Sequence, residues 1–441
     1  MTIQYIADLE SQLIKDNWFL INSNDLSACY LYNNALGTIT KLPCTIEQLD
    51  ISNIAEQLPN LTAEDRLNYF NPQKYLEENK PTRLMMFLTS MCNLRCIYCH
   101  CNSTSQGQHM NEDLAFKIVK KYVNHVQQFT GTTEDTIQIT FMGGGEPLLQ
   151  IQIIKKIVEY LESQEINGDY VLVTNGTLGN DDDWTWLINK KFRITISIDG
   201  NPATQNNQRK YADSQVGTWP KLESRLHFIS QLGAKVHIRS TVTDIRNIDS
   251  TCEYLEQFDC IETHSLEPVS MAGRAIDGSH YPDDLQNFYS EFFNIYSKYL
   301  YRNPSRYKSA WFKPFKRMDG FCGAVYYNAV VTHDGYLSLC TEMDSSTLET
   351  NYGDQFIVSH IDDENSFISY KSLKFSNDHS INNMEKCKSC AIQYKCGGGC
   401  YVKRYRDFTE PEVYYNSFCR NVIKLNLSYL IAMYDKHRNE Q

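Results

Sequence analysis

Apolar and polar positions change rhythm along this chain. From Arg83 to about Val269, short apolar runs alternate with longer stretches whose apolar residues recur every three to four positions, the pattern of βα units. The runs 84–90, 136–142, 170–174, 193–198, 235–242 and 261–269 predict six strands. Amphipathic helices are expected between them. The clearest covers 112–129, where Leu114, Ile118, Tyr122, Val126 and Phe129 share a face. Another runs from Thr218, an expected N-cap with Pro220 in the first turn, to Gly233, an expected C-cap. Six such units predict an α/β fold built on an open, partial (β/α)6 barrel, whose functional groups gather at the C-terminal ends of the strands.

The pattern differs on either side of this stretch. Strand-like runs at Trp18–Ile21, Cys29–Tyr32 and Thr38–Lys41 precede helix-compatible segments at Ile46–Glu56 and Thr62–Phe70, so residues 1–80 read as a small α+β domain. Asn71-Pro72 and Pro81 bracket an expected linker. Residues 81–269 form the barrel. Residues 270–320 read as a bridging helical region with an amphipathic run at 283–301. Residues 321–441 form a cysteine-rich unit closed by an amphipathic helix from Arg420 to about His437.

Composition narrows the classes. A chain of 441 residues suggests two to three domains, and a hydrophobic content of 42% is ample for their cores. A net charge of −11 disfavours general binding to nucleic acid. No stretch approaches the uncharged apolar length that spans a bilayer, and MTIQYIADLESQ lacks the basic and apolar regions of a secretory signal. A cytoplasmic location with no membrane partner is therefore expected. Fifteen cysteines in such a chain argue for metal ligation over disulfides. Ten of them fall into two spaced groups. Cys29, Cys44, Cys101, Cys252 and Cys260 are scattered and read as small buried hydrophobes.

The first group, Cys92-x3-Cys96-x2-Cys99, follows the first barrel strand. Three thiolates at this spacing can each take one corner iron of a [4Fe–4S] cube, leaving the fourth iron open to chemistry. The alternative is zinc with His100 or Cys101 as fourth ligand, although closed zinc sites usually draw on two separated ligand pairs. Later strand ends carry polar turns: Gly144-Gly145-Glu146-Pro147, Thr174-Asn175-Gly176 and Ser197-Ile198-Asp199-Gly200. Arg239, Thr241 and Glu267 point to the same mouth. The second group comprises Cys322, Cys340, Cys387, Cys390, Cys396, Cys400 and Cys419. A zinc ribbon of Cys387, Cys390, Cys396 and Cys400 would leave three of these unexplained.

CxxxCxxC with Tyr98 just before its last cysteine, joined to the GGEP turn, resembles the radical S-adenosylmethionine (SAM) enzymes. The second group resembles the SPASM extension of the members that mature ribosomal peptides. The resemblance covers residues 83–420. It implies that Cys92, Cys96 and Cys99 hold a SAM-binding [4Fe–4S] cluster, and that SAM is cleaved by one electron to a 5′-deoxyadenosyl radical. It also implies that Gly144, Gly145 and Glu146 hold the SAM amino group, with Tyr98, Asn175, Ser197 and Asp199 around the cofactor and Arg209 on its carboxylate. The stretch NPATQNNQ departs from the His-Asp pattern common in relatives.

Carried across, the family's ligand pattern assigns Cys387, Cys390, Cys396 and Cys419 to one auxiliary cluster. Cys322, Cys340 and Cys400 belong to another, making three [4Fe–4S] clusters in all. Some relatives, notably sulfatase-maturing enzymes, add an upstream cysteine to the latter. Here WFKPFKRMDGFC has none, so its last iron is expected to be open, or capped by a non-cysteine group such as Asp319 or a substrate thiolate. The resemblance implies a peptide substrate with a leader and a thioether or carbon–carbon crosslink. The order of elements in residues 1–80 resembles the small peptide-recognition domain fused to many such enzymes, which binds a leader by sheet addition; an ordinary α+β capping domain is the alternative. An anaerobic sulfatase-maturing enzyme that makes formylglycine is the alternative; a metal-binding scaffold or an electron-transfer protein lies outside the class. Flavodoxin or ferredoxin is the expected reductant. Six basic residues (Lys386, Lys388, Lys395, Lys403, Arg404, Arg406) read as its docking rim, or else as compensation for an anionic cluster. No catalytic base is assigned.

Overall fold

The computed structural model describes residues 5–24, 26–60, 83–130, 136–275, 282–313, 318, 320–326, 329–350, 353–364, 366–367, 369–381, 383–406 and 411–439. The expected Thr62–Phe70 helix, the Asn71-Pro72 and Pro81 linker, and Asp319 lie outside the described residues, as do the side chains of Phe129 and Arg406.

The N-terminal unit is a four-stranded antiparallel meander, β1 (Glu10–Lys15), β2 (Trp18–Asn22), β3 (Tyr30–Asn33) and β4 (Thr38–Lys41), paired in sequence order. The first strand escapes a sequence reading because ESQLIK has one apolar pair and no clean alternation. Helix α1 (Ile51–Gln57) follows, and its N-cap Asp50 accepts a hydrogen bond from the Asn53 amide.

Ten strands form the main sheet. Six parallel strands run in sequence order: β5 (Arg83–Met86), β6 (Ile137–Phe141), β7 (Gly168–Thr174), β8 (Arg193–Ser197), β9 (Val236–Val242) and β10 (Ile261–Pro268). Consecutive neighbours joined by helices give the partial barrel, because no connection skips a strand. Residue alternation divides the cores. Leu84, Met86 and Leu88 join Ile137, Ile139 and Phe141 under the helices, while Met85, Phe87 and Val330 form a small cluster on the opposite face.

Among the crossover helices, α2 (Glu112–Thr130) buries Ile118, Tyr122 and Val126, as its pattern requires. Asn180 and Asp183 form a capping box at α3 (Asp181–Asn189), which also carries three acids in its first turn. Thr218 precedes α4 (Trp219–Gln231) but makes no side-chain capping bond. Its hydroxyl donates to the Arg209 carbonyl at 2.9 Å and accepts from Gln205 Nε2 at 2.9 Å, a tertiary tether that spacing alone cannot show.

The bridging region contributes α5 (Leu285–Arg302), with Phe288, Phe292 and Tyr296 inward, and the two-residue strand β11 (Tyr307–Lys308) beside β10. The cysteine-rich unit then rejoins the main sheet. β12 (Ala329–Val331) lies parallel to β5, and its hairpin partner β13 (Tyr336–Ser338) and β14 (Ile357–His360) extend that edge. Gly335, at φ +92, lies in the turn between β12 and β13. Helix α6 (Arg420–Asn439) closes the unit and packs on β4. Tyr5 OH donates to Asn421 at 3.1 Å, Tyr30 OH to Asp435 at 2.6 Å, and Asn34 Nδ2 to the Cys390 carbonyl at 2.8 Å. The N-terminal sheet is thus seated on the cysteine-rich unit. Among the described residues no helix is long and apolar enough to cross a membrane.

Candidate active site

The C-terminal ends of the parallel strands open into a cavity of about 310 Å³. Its walls come from three parts of the chain: the cysteine loop after β5, the strand-end turns, and Trp311, Phe321, Thr341, Glu342, Cys400 and Lys403 from the later units.

The cysteine loop is held by backbone pairing and two arginines. Arg95 and Ile97 amides donate to Lys210 and Gln208 carbonyls at 2.8 and 3.0 Å. Arg95 Nη1 donates to the carbonyls of Cys92 and Leu94 at 3.2 and 2.8 Å. Arg274 reaches in from beyond β10: Nε donates to the Cys96 carbonyl at 2.8 Å and Nη1 to the Ser103 carbonyl at 3.0 Å. Neither arginine stands out in the sequence, since a guanidinium that binds carbonyls needs no charged partner in a motif.

The GGEP turn lies against this loop. The Gly145 and Glu146 amides donate to the Thr89 and Met91 carbonyls at 2.7 and 2.8 Å. A Cβ on Gly145 would fall 1.7 Å from the Met91 oxygen, so only glycine allows this approach. Glu146 is buried, accepting from Thr174 Oγ1 at 2.6 Å, Leu148 N at 3.1 Å and Asn175 N at 2.7 Å. Burial nevertheless pushes its carboxyl up to about 7. Asn175 Nδ2 donates to Asn93 Oδ1 at 2.9 Å.

Asp199 stands behind the cavity wall. Arg209 holds it with two bonds, Nε to Oδ2 at 2.9 Å and Nη2 to Oδ1 at 3.2 Å. Tyr98 OH also donates to it, and the Thr241 amide donates at 3.0 Å. The guanidinium lies 5.2 Å from the Tyr98 ring centroid, with Nη1 3.7 Å from Cys96 Sγ. Tyr98, Arg209, Asn175, Ser197, Gly144, Gly145 and Glu146 all line the cavity; Asp199 does not. The divergent stretch NPATQNNQ supports it instead, with Gln205 Oε1 accepting from the Asp199 amide at 2.7 Å.

The ten spaced cysteines come together in three sets. Burial, reinforced by neighbouring Cys96, holds the Cys92 thiol up at about 12. Cys322, Cys340 and Cys400 perturb one another in the same way. Cys387, Cys390, Cys396 and Cys419 wall a cavity of about 380 Å³ with Phe418, Val422 and Arg404. Buried thiols raised this far ionise near neutral pH only where a cation replaces the proton. Among the described residues no three His, Cys, Asp or Glu side chains converge for a single metal ion. One zinc draws its thiolates to within ~4 Å of each other, at Zn–S ≈ 2.3 Å. Sets of three, three and four thiols have ligand counts that [4Fe–4S] cubes accept.

Two residues of the expected basic rim turn inward. Lys403 is 4% exposed and donates to Tyr289 OH at 3.0 Å, facing the cavity. Arg404 faces Cys387 and Cys419 and donates to the Gly398 carbonyl. Helical spacing carries the signal: Lys403 and Arg404 lie three and four residues after Cys400, on its side of the helix.

Residues 86–248 match the Radical SAM superfamily. A cysteine-type anaerobic sulfatase-maturating enzyme of Clostridium novyi is 23% identical over 389 residues, 79% of this chain and 97% of that protein. The solved structure of native anSMEcpe with bound AdoMet superposes with a TM-score of 0.63 at 19% identity, covering 81% of this chain and 99% of that one. Streptococcus suis SuiB bound to its precursor peptide SuiA superposes at 0.52 and 14% identity, covering 93% and 98%. The matched stretch contains Cys92, Cys96, Cys99 and the GGEP turn, and the fold follows anSMEcpe over 81% of the chain and SuiB over 93%. The chain is thus an enzyme that carries a radical SAM domain over residues 86–248, and S-adenosylmethionine with a [4Fe–4S] cluster is the cofactor pair that this superfamily implies.

Proposed function

We propose that this enzyme abstracts hydrogen from a residue of a ribosomally synthesised peptide, leading to a thioether or carbon–carbon crosslink. The carrying observation is the shared wall of the cavity: Cys92, Cys96 and Cys99 line one side, and Cys400, Lys403 and Glu342 the other. A substrate residue seated there lies between two thiol sets. Cys92, Cys96 and Cys99 would hold the SAM-binding cluster. Cys387, Cys390, Cys396 and Cys419 would hold a second cluster completely, and Cys322, Cys340 and Cys400 a third with one position left to a non-cysteine group. When bound, the first cluster and SAM supply a 5′-deoxyadenosyl radical able to attack an unactivated C–H bond. Glu146 would receive the SAM ammonium and Arg209 its carboxylate side, while Asp199 fixes Arg209 and Tyr98. Trp311 and Phe321 exclude water from the far wall.

The N-terminal sheet is assigned to the leader peptide. SuiB, solved with its precursor peptide SuiA bound, covers 93% of the chain against 81% for anSMEcpe, which supports this reading. Formylglycine formation is a second reading, favoured by the sulfatase-maturating relatives.

Anaerobic reconstitution decides between these. The expected protein holds about twelve irons, four for each of three cubes, and forms 5′-deoxyadenosine from SAM and dithionite. Mass loss of two hydrogens from a candidate precursor peptide supports crosslinking. An aldehyde on a cysteine-bearing sulfatase peptide establishes the second reading instead. Zinc in place of iron, with no SAM cleavage, overturns both.

A further inference from the structure

Beside the inner cavity runs an open polar groove of about 550 Å³. One wall is the loop after the cysteines, including Thr104 and Gln106, and the other is the β12–β13 turn with residues to Leu348. Cys101 and Ser103 line both the groove and the inner cavity, so the two spaces meet at these side chains. The wall is anchored: the Ser103 hydroxyl donates to the Gly144 carbonyl, and the Cys92 amide donates to the Thr104 carbonyl at 2.9 Å. Charge changes across the neck. Among the described residues the groove is lined by Asp334, Asp344 and His333 and by no lysine or arginine, while Arg274 Nη1 donates to its wall residue Asn102 at 3.2 Å. The cavity beyond is lined by Arg209, Arg239 and Lys403 together with Glu146, Glu267 and Glu342, so its charges balance where the groove is net acidic. Leu348, 37% exposed, adds an apolar foothold.

We propose that this groove is the way in for the substrate, and that it takes an extended peptide segment carrying basic side chains next to the residue to be modified. An extended chain advances ~3.3 Å per residue, with alternate side chains on opposite sides. A segment lying in the groove can place cations on Asp334 and Asp344 while the next residue passes the neck. The assignment rests on the peptide reading above, but its test does not use turnover.

The probe is an eight-residue lysine–glycine peptide with a central photo-leucine, irradiated with the reconstituted enzyme and mapped by mass spectrometry. Crosslinks are expected at 102–108 and 333–348. They should fall severalfold with Gln106→Trp or Ser346→Trp, which fill the groove from opposite walls, and with the same peptide carrying glutamate for lysine. Crosslinks confined to other surfaces, or indifferent to both substitutions and to peptide charge, overturn the proposal. Formation of 5′-deoxyadenosine by the wild type reports separately on the functional reading. A peptide that crosslinks in the groove of an enzyme inert toward SAM would keep the groove and remove the reaction.

Discussion

Asp199 forms no part of the cavity wall, yet it fixes two side chains that do. Its side chain is fully buried, and Arg209 is the cation that compensates it. Asp199→Asn leaves that guanidinium buried beside a neutral amide. Breaking one partner of a buried ion pair costs about 3–5 kcal/mol. A lower thermal midpoint and weaker SAM binding are expected, with part of the stability returning in the Asp199→Asn, Arg209→Gln double variant. Equal midpoints for wild type and single variant would refute the positioning role. The cysteines and the GGEP turn were legible in the sequence because spacing along one loop fixes what such groups can hold. The partner of Asp199 was not. A residue ten positions away in sequence becomes its neighbour only because 208–212 runs back along the cysteine loop. Arg274 is hidden for the same reason, lying 178 residues from the carbonyl it binds.

At the level of elements, the six strands and their helices follow directly from hydrophobic rhythm, since each strand buries at least its helix-covered face and each helix buries one. The added strands β12 to β14 are only three or four residues long, and nothing in so short a run says which edge it joins. The short helix Tyr401–Arg406 teaches a related lesson. A run of charge reads as a surface until the helical period is applied, and then Lys403 and Arg404 follow Cys400 inward. Lys386 and Lys388 are exposed beside the Cys387 set, with Lys386 5.8 Å from the ring centroid of Tyr415. We propose these two lysines as the part of the basic rim left to dock an acidic reductant. Lys386→Glu with Lys388→Glu should slow anaerobic reduction by flavodoxin and leave dithionite reduction unchanged, the rates being read from cluster absorbance. Reversal at Lys403 and Arg404 should lower iron content instead. Identical flavodoxin rates in the Lys386/Lys388 variant and the wild type would dispose of the patch.

For the whole molecule, stability depends on groups that stay neutral inside it. His264 is buried between β10 and its neighbours, and burial, aided by Arg306, lowers it to about 3. Ser240 donates its hydroxyl to the Ile198 carbonyl, so the His264 ring nitrogen 2.7 Å away donates to Ser240. The unfolded chain takes up this proton below pH ~6.5 while the folded chain refuses it, so the group costs stability as pH falls from there. Glu146 has the opposite sign, because its folded carboxyl holds a proton up to about 7. His264→Gln should therefore flatten the fall in thermal midpoint between pH 7.5 and 5.5. An unchanged slope would place the acid sensitivity elsewhere.

The bond from Tyr30 to Asp435 joins residues 405 apart in sequence. A ribosome emitting ~5–20 residues each second needs tens of seconds between making one and the other. Throughout that interval the early meander has no platform, and its buried face of Phe19, Ile21 and Tyr32 stays uncovered. Premature termination anywhere before the last helix would release a chain whose opening sheet has nothing to rest on, giving quality-control proteases a target at the front as well as the back.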